Sequence, residues 1–338
     1  MFIVWRGFLY NQYNQIEAIL SQYEMEIYEL TKGRGTYICS TDKGKFVLTA
    51  FRGTKEKAQL LRAYLQQLKE LGFSVEQIIL NKEMQAISED EVTEERFLLK
   101  EYISGSELNV NHPKELQEAA ALLAEYHNVS SCTKQIESSL LLDCSQMVLG
   151  EKEKHYRELV KVKNYIRNCK KKTTFERIYL ACYESMFETA RTSIVMLEEQ
   201  KEEQPACCFC HGDYNQHNVV FSDDKWKIIN FENFVYRWSI LDLANFMRKM
   251  QEKNEWDISI GNKILESYSK VRPLSDVEYR KLYGLLLFPE KFWKVTNHYM
   301  NSRKSWISER DIEKLEKVID QEAKRLNFTQ NVFAIQAE

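Results

Sequence analysis

Proline and glycine are scarce, with 4 Pro and 11 Gly in 338 residues. Turn punctuation is therefore thin, and a chain rich in helix is expected. No apolar run approaches the roughly 18 residues that read as a membrane span. The opening Met1-Phe2-Ile3-Val4-Trp5-Arg6-Gly7 lacks a basic segment ahead of an apolar stretch, so no signal peptide is expected. An excess of one charge is also missing: 47 Lys and Arg against 50 Asp and Glu give a net charge of −3. That balance excludes a general nucleic-acid binder, which carries a basic excess or stripe, but leaves room for a local basic pocket for phosphates. Internal repeats and low-complexity tracts are absent too. What is present is 44% hydrophobic and 29% charged residues, enough for a large core, in a length that suits two domains or lobes.

Eight cysteines, at 39, 132, 144, 169, 182, 207, 208 and 210, are irregularly spaced and read as reduced, cytoplasmic thiols. Cys207-Cys208-Phe209-Cys210-His211 has the look of a metal cluster. Its spacing matches no zinc pattern, and adjacent strand residues point to opposite faces, so a buried strand is expected there.

Residues up to about 80 read as a small α+β unit. A helix is expected over 11–22, and strands over 26–30, 37–40 and 45–51, with Lys32-Gly33-Arg34-Gly35 and Asp42-Lys43-Gly44 as turns. Thr54 can cap a helix to Leu71 whose stripe is Ala58, Leu61, Leu65 and Leu68, with Gly72 at its end. Strands near 78–80 and 96–103 follow, and Ser104-Gly105-Ser106 breaks the pattern at the expected lobe boundary. Beyond it the chain turns helical, over 112–129, 150–170, 175–199 and from about 241 to Leu326. Strands return at 206–211, 219–221 and 226–230, and the last dozen residues are expected to fray. Lys152, Lys154, Arg157, Lys161 and Lys163, interleaved with Glu151, Glu153 and Glu158, read as a solvated helix face. Phe288, Phe292 and Tyr299 form a core stripe, leaving Lys291, Lys294, Arg303 and Lys304 for a functional edge.

The segment richest in chemistry is Cys210-His211-Gly212-Asp213-Tyr214-Asn215-Gln216-His217-Asn218-Val219-Val220-Phe221, followed by Lys227-Ile228-Ile229-Asn230-Phe231-Glu232. An Asp and an Asn five apart lie on a loop between apolar strands, and a second polar position follows another strand. Phosphoryl transfer uses such a layout: a carboxylate orients a hydroxyl, and hard oxygen ligands hold Mg²⁺ against nucleotide phosphates.

HGD-x4-N with its "I-[D]-F-[DE]" strand end resembles the aminoglycoside phosphotransferase and choline kinase-like branch of the kinase fold. Phe97 to Gly105 is similar to the lobe-connecting hinge, Ala120 to His127 to the "A-x-x-L-A-x-x-H" helix, and Leu241-Asp242-Leu243-Ala244 to the "D-L-A" segment. Within that branch, Lys32 to Thr36, Asp42-Lys43-Gly44, Phe51 to Thr54, Phe288 to Trp293 and Asn301 to Trp306 resemble the CotS group of spore-coat proteins. The resemblance implies an α+β, protein kinase-like two-lobed fold: a small lobe with an antiparallel sheet over 1–102, a larger helical lobe over 103–330, and a tail over 331–338. It implies Asp213 as catalytic base, Asn218 as a Mg²⁺ ligand, His211 as a brace of the loop, and Glu101 and Ile103 at the hinge that receives adenine. His217 reads as a loop hydrogen-bonder. Tyr236, Arg237 and Trp238 either line the acceptor region or cap it.

The departures from that pattern are specific. The main metal ligand, an Asp in the family, is Asn230, whose amide oxygen carries no charge and holds a divalent ion less tightly. Glu232, two residues on, could swing in as a metal ligand, though along an extended strand it would share Asn230's face rather than its position. The phosphate-gripping Lys of the third strand aligns with Thr49. Lys45 lies on the same face, but about 13 Å earlier at the usual strand rise. The Glu that would pair with that Lys aligns with Gln59, with Glu56 one turn away, and a neutral Thr49–Gln59 pair avoids an unpaired buried charge. Lys32-Gly33-Arg34-Gly35 replaces a glycine-rich loop and reads as a hairpin turn. Two functions follow from the resemblance. One is a degenerate kinase of the spore coat with weakened or lost ATP and Mg²⁺ binding and protein partners in the coat. The other is an active ATP- and Mg²⁺-dependent phosphotransferase acting on a small-molecule, sugar or amino-alcohol hydroxyl.

Overall fold

The computed structural model describes residues 14–133, 144–199, 203–302 and 309–334. The opening heptapeptide, the start of the first expected helix and most of the 301–306 motif lie outside the described residues. The chain divides into two compact units. One contains the residues up to Glu107 together with His217–Phe234; the other contains Leu108–Ser131, the segment ending at Gln216, and everything from Val235 onward.

The first unit is built on an antiparallel sheet of six strands. Its order is β1 (Ile27–Lys32), β2 (Thr36–Thr41), β3 (Gly44–Ala50), β6 (Arg96–Glu101) and β4 (Ile78–Ile79), with β5 (Ser88–Glu89) also on β6. The β2–β3 turn uses Gly44 at φ +112°, a left-handed conformation that only glycine adopts readily. Alternation sends Phe46, Leu48, Phe97 and Leu99 to one face, where they bury against Ile16, Ile19, Leu20 and Tyr23, part of them from helix α1, described here over 14–20. The opposite face carries Val47, Thr49, Leu98 and Lys100, because Val47 pairs with Lys100 and Thr49 with Leu98.

Helix α2 (Lys55–Glu70) starts where Thr54 accepts from Lys57 N and buries Ala58, Leu61, Tyr64, Leu65 and Leu68. A second, three-stranded sheet joins β7 (Ser106–Glu107), β9 (Val219–Ser222) and β10 (Lys225–Ile228). Gly105 sits so close to β9 that a Cβ there would lie 2.4 Å from the Phe221 carbonyl oxygen, so any larger residue would push the backbones apart. The break at Ser104-Gly105-Ser106 is thus a close approach of two backbones.

The second unit is mainly helical: α3 (Pro113–Ser131), α4 (Cys144–Asn168), α5 (Thr174–Glu198), α6 (Ile240–Gln251), α7 (Ile258–Val271), α8 (Asp276–Leu287), α9 (Glu290–Asn301) and α10 (Glu309–Ala334). Capping boxes start α5, at Thr173 with Glu176, and α8, at Ser275 with Glu278. Phe292 and Tyr299 of α9 are buried against Phe175, Tyr179 and Tyr183 of α5, as the aromatic stripe predicts. Helix α10 runs to Ala334, past the expected end near Leu326.

Tyr236, Arg237 and Trp238 lie on a further strand, β11 (Val235–Trp238), paired antiparallel with β8 (Cys207–Cys210). One expectation is corrected here. Lys152 does not join a solvated face: it is buried, with its ammonium 2.9 Å from Glu290 Oε2. It falls on the side of α4 that meets α9, where an ion pair replaces solvation.

Candidate functional site

The catalytic-loop motif lies in the second unit. Strand β8 ends at Cys210, and the backbone N–H groups of His211 and Gly212 donate to the two carboxylate oxygens of Asp242, at 2.6 and 3.1 Å. Asp242 is fully buried at the start of α6. Burial alone would raise its carboxyl, but the imidazole of His127 beside it and the charge of Arg237 hold it well below the usual carboxylate range. The "D-L-A" aspartate is therefore the anchor of the loop. His211 Nδ1 accepts from Asp213 N at 3.2 Å, so the histidine braces the loop from inside, in the position the resemblance implied. Tyr214 drives its ring into the core and donates to Ala119 O at 2.8 Å.

Asp213 presents a half-exposed side chain whose Oδ1 is 2.5 Å from Lys249 Nζ. Lys249 lies seven residues, two helical turns, after Asp242, so one face of α6 supplies both the anchor of the loop and the cation beside its aspartate. That i, i+7 pair is the signal from which Lys249 could have been found.

The metal-strand motif lies in the first unit, together with a lysine the sequence reading overlooked. Asn230 has φ +67°, and the chain then makes a single 3-10 turn over Phe231–Asn233. The strand is not extended here, so Glu232 does not simply share Asn230's face. The turn brings Glu232 round to the same ammonium group as Asn230. That ammonium is Lys100 Nζ, from β6: it lies 3.0 Å from Asn230 Oδ1, contacts Glu232 Oε1 and lies 3.0 Å from Glu76 Oε1. Lys100 and Glu76 are buried. Burial would pull the Lys100 ammonium down, but the charges of Glu76 and Glu232 outweigh it and hold the group above its ordinary value. Burial pushes the Glu76 carboxyl up. Glu76 Oε1 also accepts from Asn230 N at 2.7 Å, which fixes the left-handed turn.

An ammonium group only donates, so Asn230 must turn its oxygen to Lys100 and its nitrogen elsewhere. The nitrogen donates to Asn218 Oδ1 at 2.9 Å. Three oxygens expected to serve a divalent ion are thus occupied within the protein: Asn230 and Glu232 by a lysine, and Asn218 by an amide. These contacts set a lysine and an amide against oxygens that the resemblance implies for Mg²⁺.

Other expected site residues fall elsewhere. Thr49 is buried on β3, two residues along the ladder from Val47, the partner of Lys100. Gln59 is exposed and hydrogen bonds to Gln85, so the neutral Thr49–Gln59 pair does not form. Glu56 is exposed in the first turn of α2. The acid that balances a buried lysine is instead Glu76, and the lysine stands one strand over from β3. Glu101 closes β6, with its carboxylate accepting from Gln77 N at 3.1 Å, and Ile103 is half-buried just beyond. The Lys32–Gly35 segment is the β1–β2 hairpin, closed by Gly33 N to Thr36 O at 2.9 Å. Its Arg34 lies 2.8 Å from His217 Nδ1, which also faces Glu107 at 2.5 Å, so His217 is a loop hydrogen-bonder.

Comparison with known proteins agrees with the fold. The first solved neighbour is an aminoglycoside phosphotransferase from Alicyclobacillus acidocaldarius, 18% identical, covering 94% of this chain and 95% of that one with a TM-score of 0.79. An amicoumacin kinase solved with AMP-PNP and Ca²⁺ superposes at a TM-score of 0.63, with 12% identity over 95% of this chain and 92% of that one. These neighbours show the kinase-like fold. Spore coat protein S of Bacillus subtilis (strain 168) is 20% identical over 333 residues, 93% of this chain and 92% of the relative. The family described as "Spore coat putative kinase YutH" matches residues 16–332. The chain belongs to that family of spore-coat kinase-like proteins.

Proposed function

We propose that this chain is a spore-coat-associated kinase-fold protein whose phosphotransfer centre is degenerate, with weak or no phosphoryl transfer, and which acts through binding. The observation that carries this reading is Lys100 among Asn230, Glu232 and Glu76. Phosphoryl transfer depends on positioning and on charge that offsets the phosphates, and a divalent ion supplies most of that charge. Here a tethered monovalent cation uses the oxygens a metal would need, and the uncharged Asn230 removes one ligand charge. A nucleotide remains a possible partner, which the AMP-PNP-bound neighbour supports, and its binding is weakened because no metal bridges its phosphates. Glu101 and Ile103 would face its adenine. The coat assignment, with coat proteins as partners, is supported by the family and by the relative named spore coat protein S.

One observation favours the second reading, an active ATP- and Mg²⁺-dependent kinase of a small hydroxyl acceptor. Asp213 keeps its place on a braced loop, half-exposed and paired to Lys249.

The test is the melting temperature with ATP, with and without Mg²⁺ or Mn²⁺, in the unmodified protein and in the Lys100→Met/Asn230→Asp variant. Ligand at 100 times its dissociation constant adds about 2.7 kcal/mol of stability. No metal-dependent rise is expected in the unmodified protein, and a rise is expected in the double variant. ATP turnover by the unmodified protein that disappears in Asp213→Ala would overturn the reading.

A further inference from the structure

The cysteine-rich strand holds a second cluster that the kinase reading leaves unused. Alternation along β8 sends neighbouring residues to opposite faces, but it also sends Cys208 and Cys210 to the same face. Helix α3 lays His127 over that face. Tyr126 OH and Ser130 Oγ of α3 both donate to Phe209 O, at 2.7 and 2.9 Å, which fixes helix and strand together. His127 and Cys210 are fully buried and Cys208 is 2% exposed. The ring nitrogen of His127 and the two sulfurs all lie within 4.8 Å of one another, the one such group of His, Cys or acidic side chains among the described residues.

We propose that His127, Cys208 and Cys210 form a buried zinc-binding site. The second observation that points to a ligand is the orientation of the imidazole. His127 Nδ1 lies 2.7 Å from Tyr268 OH, so a partner outside the cluster fixes the orientation of the ring. Nε2, which finds no hydrogen-bond partner, is left to the cluster, with the Asp242 carboxylate 3.6 Å away. Tetrahedral zinc, with bonds of about 2.3 Å to sulfur and 2.0–2.1 Å to nitrogen, separates its ligand atoms by about 3.5–3.8 Å, so groups within 4.8 Å of one another need to close by at most about 1.3 Å.

Two thiolates and an imidazole are a soft donor set that suits Zn²⁺ or Cu⁺. Charge separates the two. Binding Zn²⁺ breaks two S–H bonds, forms two Zn–S bonds and one Zn–N bond, and releases two protons, so the buried site keeps its net charge. Cu⁺ would leave one uncompensated negative charge in a pocket where Asp242 is already balanced by Arg237 at 3.4 Å. Cys210 Sγ now donates to Trp238 O at 3.4 Å and Arg237 O at 3.6 Å, and those weak contacts are given up for the metal. The bound ion would clamp the strand from which the HGD loop departs to helix α3.

The full-length protein, stripped of metal under reducing conditions, is titrated with Co²⁺. The expected result is a thiolate-to-cobalt charge-transfer band with intense tetrahedral d–d bands, saturating at one ion per chain and displaced by Zn²⁺. Cys208→Ser and Cys210→Ser each remove the bands, and Cys182→Ser, on α5, keeps them. Saturating Zn²⁺ also raises the melting temperature of the unmodified protein. Absence of the bands in the unmodified protein, or their survival in both serine variants, would overturn the proposal and leave three reduced core side chains. The unmodified protein alone decides the matter if a serine variant does not fold.

Discussion

Lys100→Met is the most informative single change. The methionine matches the length of the lysine stem and fills its space, so the perturbation is the loss of one buried cation. It leaves Glu76, fully buried, beside Glu232, whose side chain is 18% exposed, with no positive charge between them. Removing one partner from a buried ion pair costs about 3–5 kcal/mol. At about 2–4 °C per kcal/mol for 150–250 residues, that lowers the melting temperature by about 6–20 °C. A second change, Glu232→Gln, removes one of the stranded carboxylates and should restore part of the loss, because the two sites share a partner and are not additive. Calorimetric or circular-dichroism melts of the wild type, both single variants and the double variant close the cycle. A drop below about 2 °C for Lys100→Met, or strict additivity in the double variant, would refute the idea that this ammonium neutralises the two acids.

Three further outcomes follow from the geometry. Gly105→Ala places a methyl 2.4 Å from Phe221 O, and the resulting overpacking should cost about 1–3 kcal/mol, read as a lower urea midpoint with unchanged slope. Burial would raise the Glu290 carboxyl, but Lys152 and His155 hold it well below its ordinary 4.5; the stability it contributes is therefore complete above pH 4.5 and lost as pH falls through its lowered value. Glu290→Gln should flatten that acid limb of the urea-midpoint profile, and an unchanged limb would count against the pair. Asp242→Asn keeps one acceptor for the loop but removes the charge beside the half-buried Arg237, and should lower stability by about 3 kcal/mol with faster hydrogen exchange at the His211 and Gly212 amides.

The braced HGD loop was legible because HGD-x4-N packs its residues into one short segment, and the same local patterning marked the hairpin at Asp42–Gly44 and the cap at Thr54. Lys100 escaped for a long-range reason. It ends the apolar run Phe97-Leu98-Leu99 and read as part of a hinge; only the β3–β6 register puts it beside Val47, and only the fold brings Glu76 to it, 24 residues back in the chain. The turn at Asn230 did leave a trace. Asn is among the few residues at ease at positive φ, so an Asn at a strand end was a hint that the chain bends there and carries Glu232 with it. The clustering of His127 with Cys208 and Cys210 required both a helix and a strand, and no spacing rule within one segment covers such a group.

The cluster around Lys100 also restricts the mutational routes from this centre to one with a third acid and no lysine. Restoring an aspartate at 230 by itself places a third acidic group on one ammonium, while removing the lysine by itself leaves two acids without a counter-charge. Each single step lowers stability before it offers any catalysis, and only the pair together makes a plausible cation site. A chain holding Lys100 and Asn230 together therefore faces a valley at either single step, and selection on the fold alone would preserve the pair.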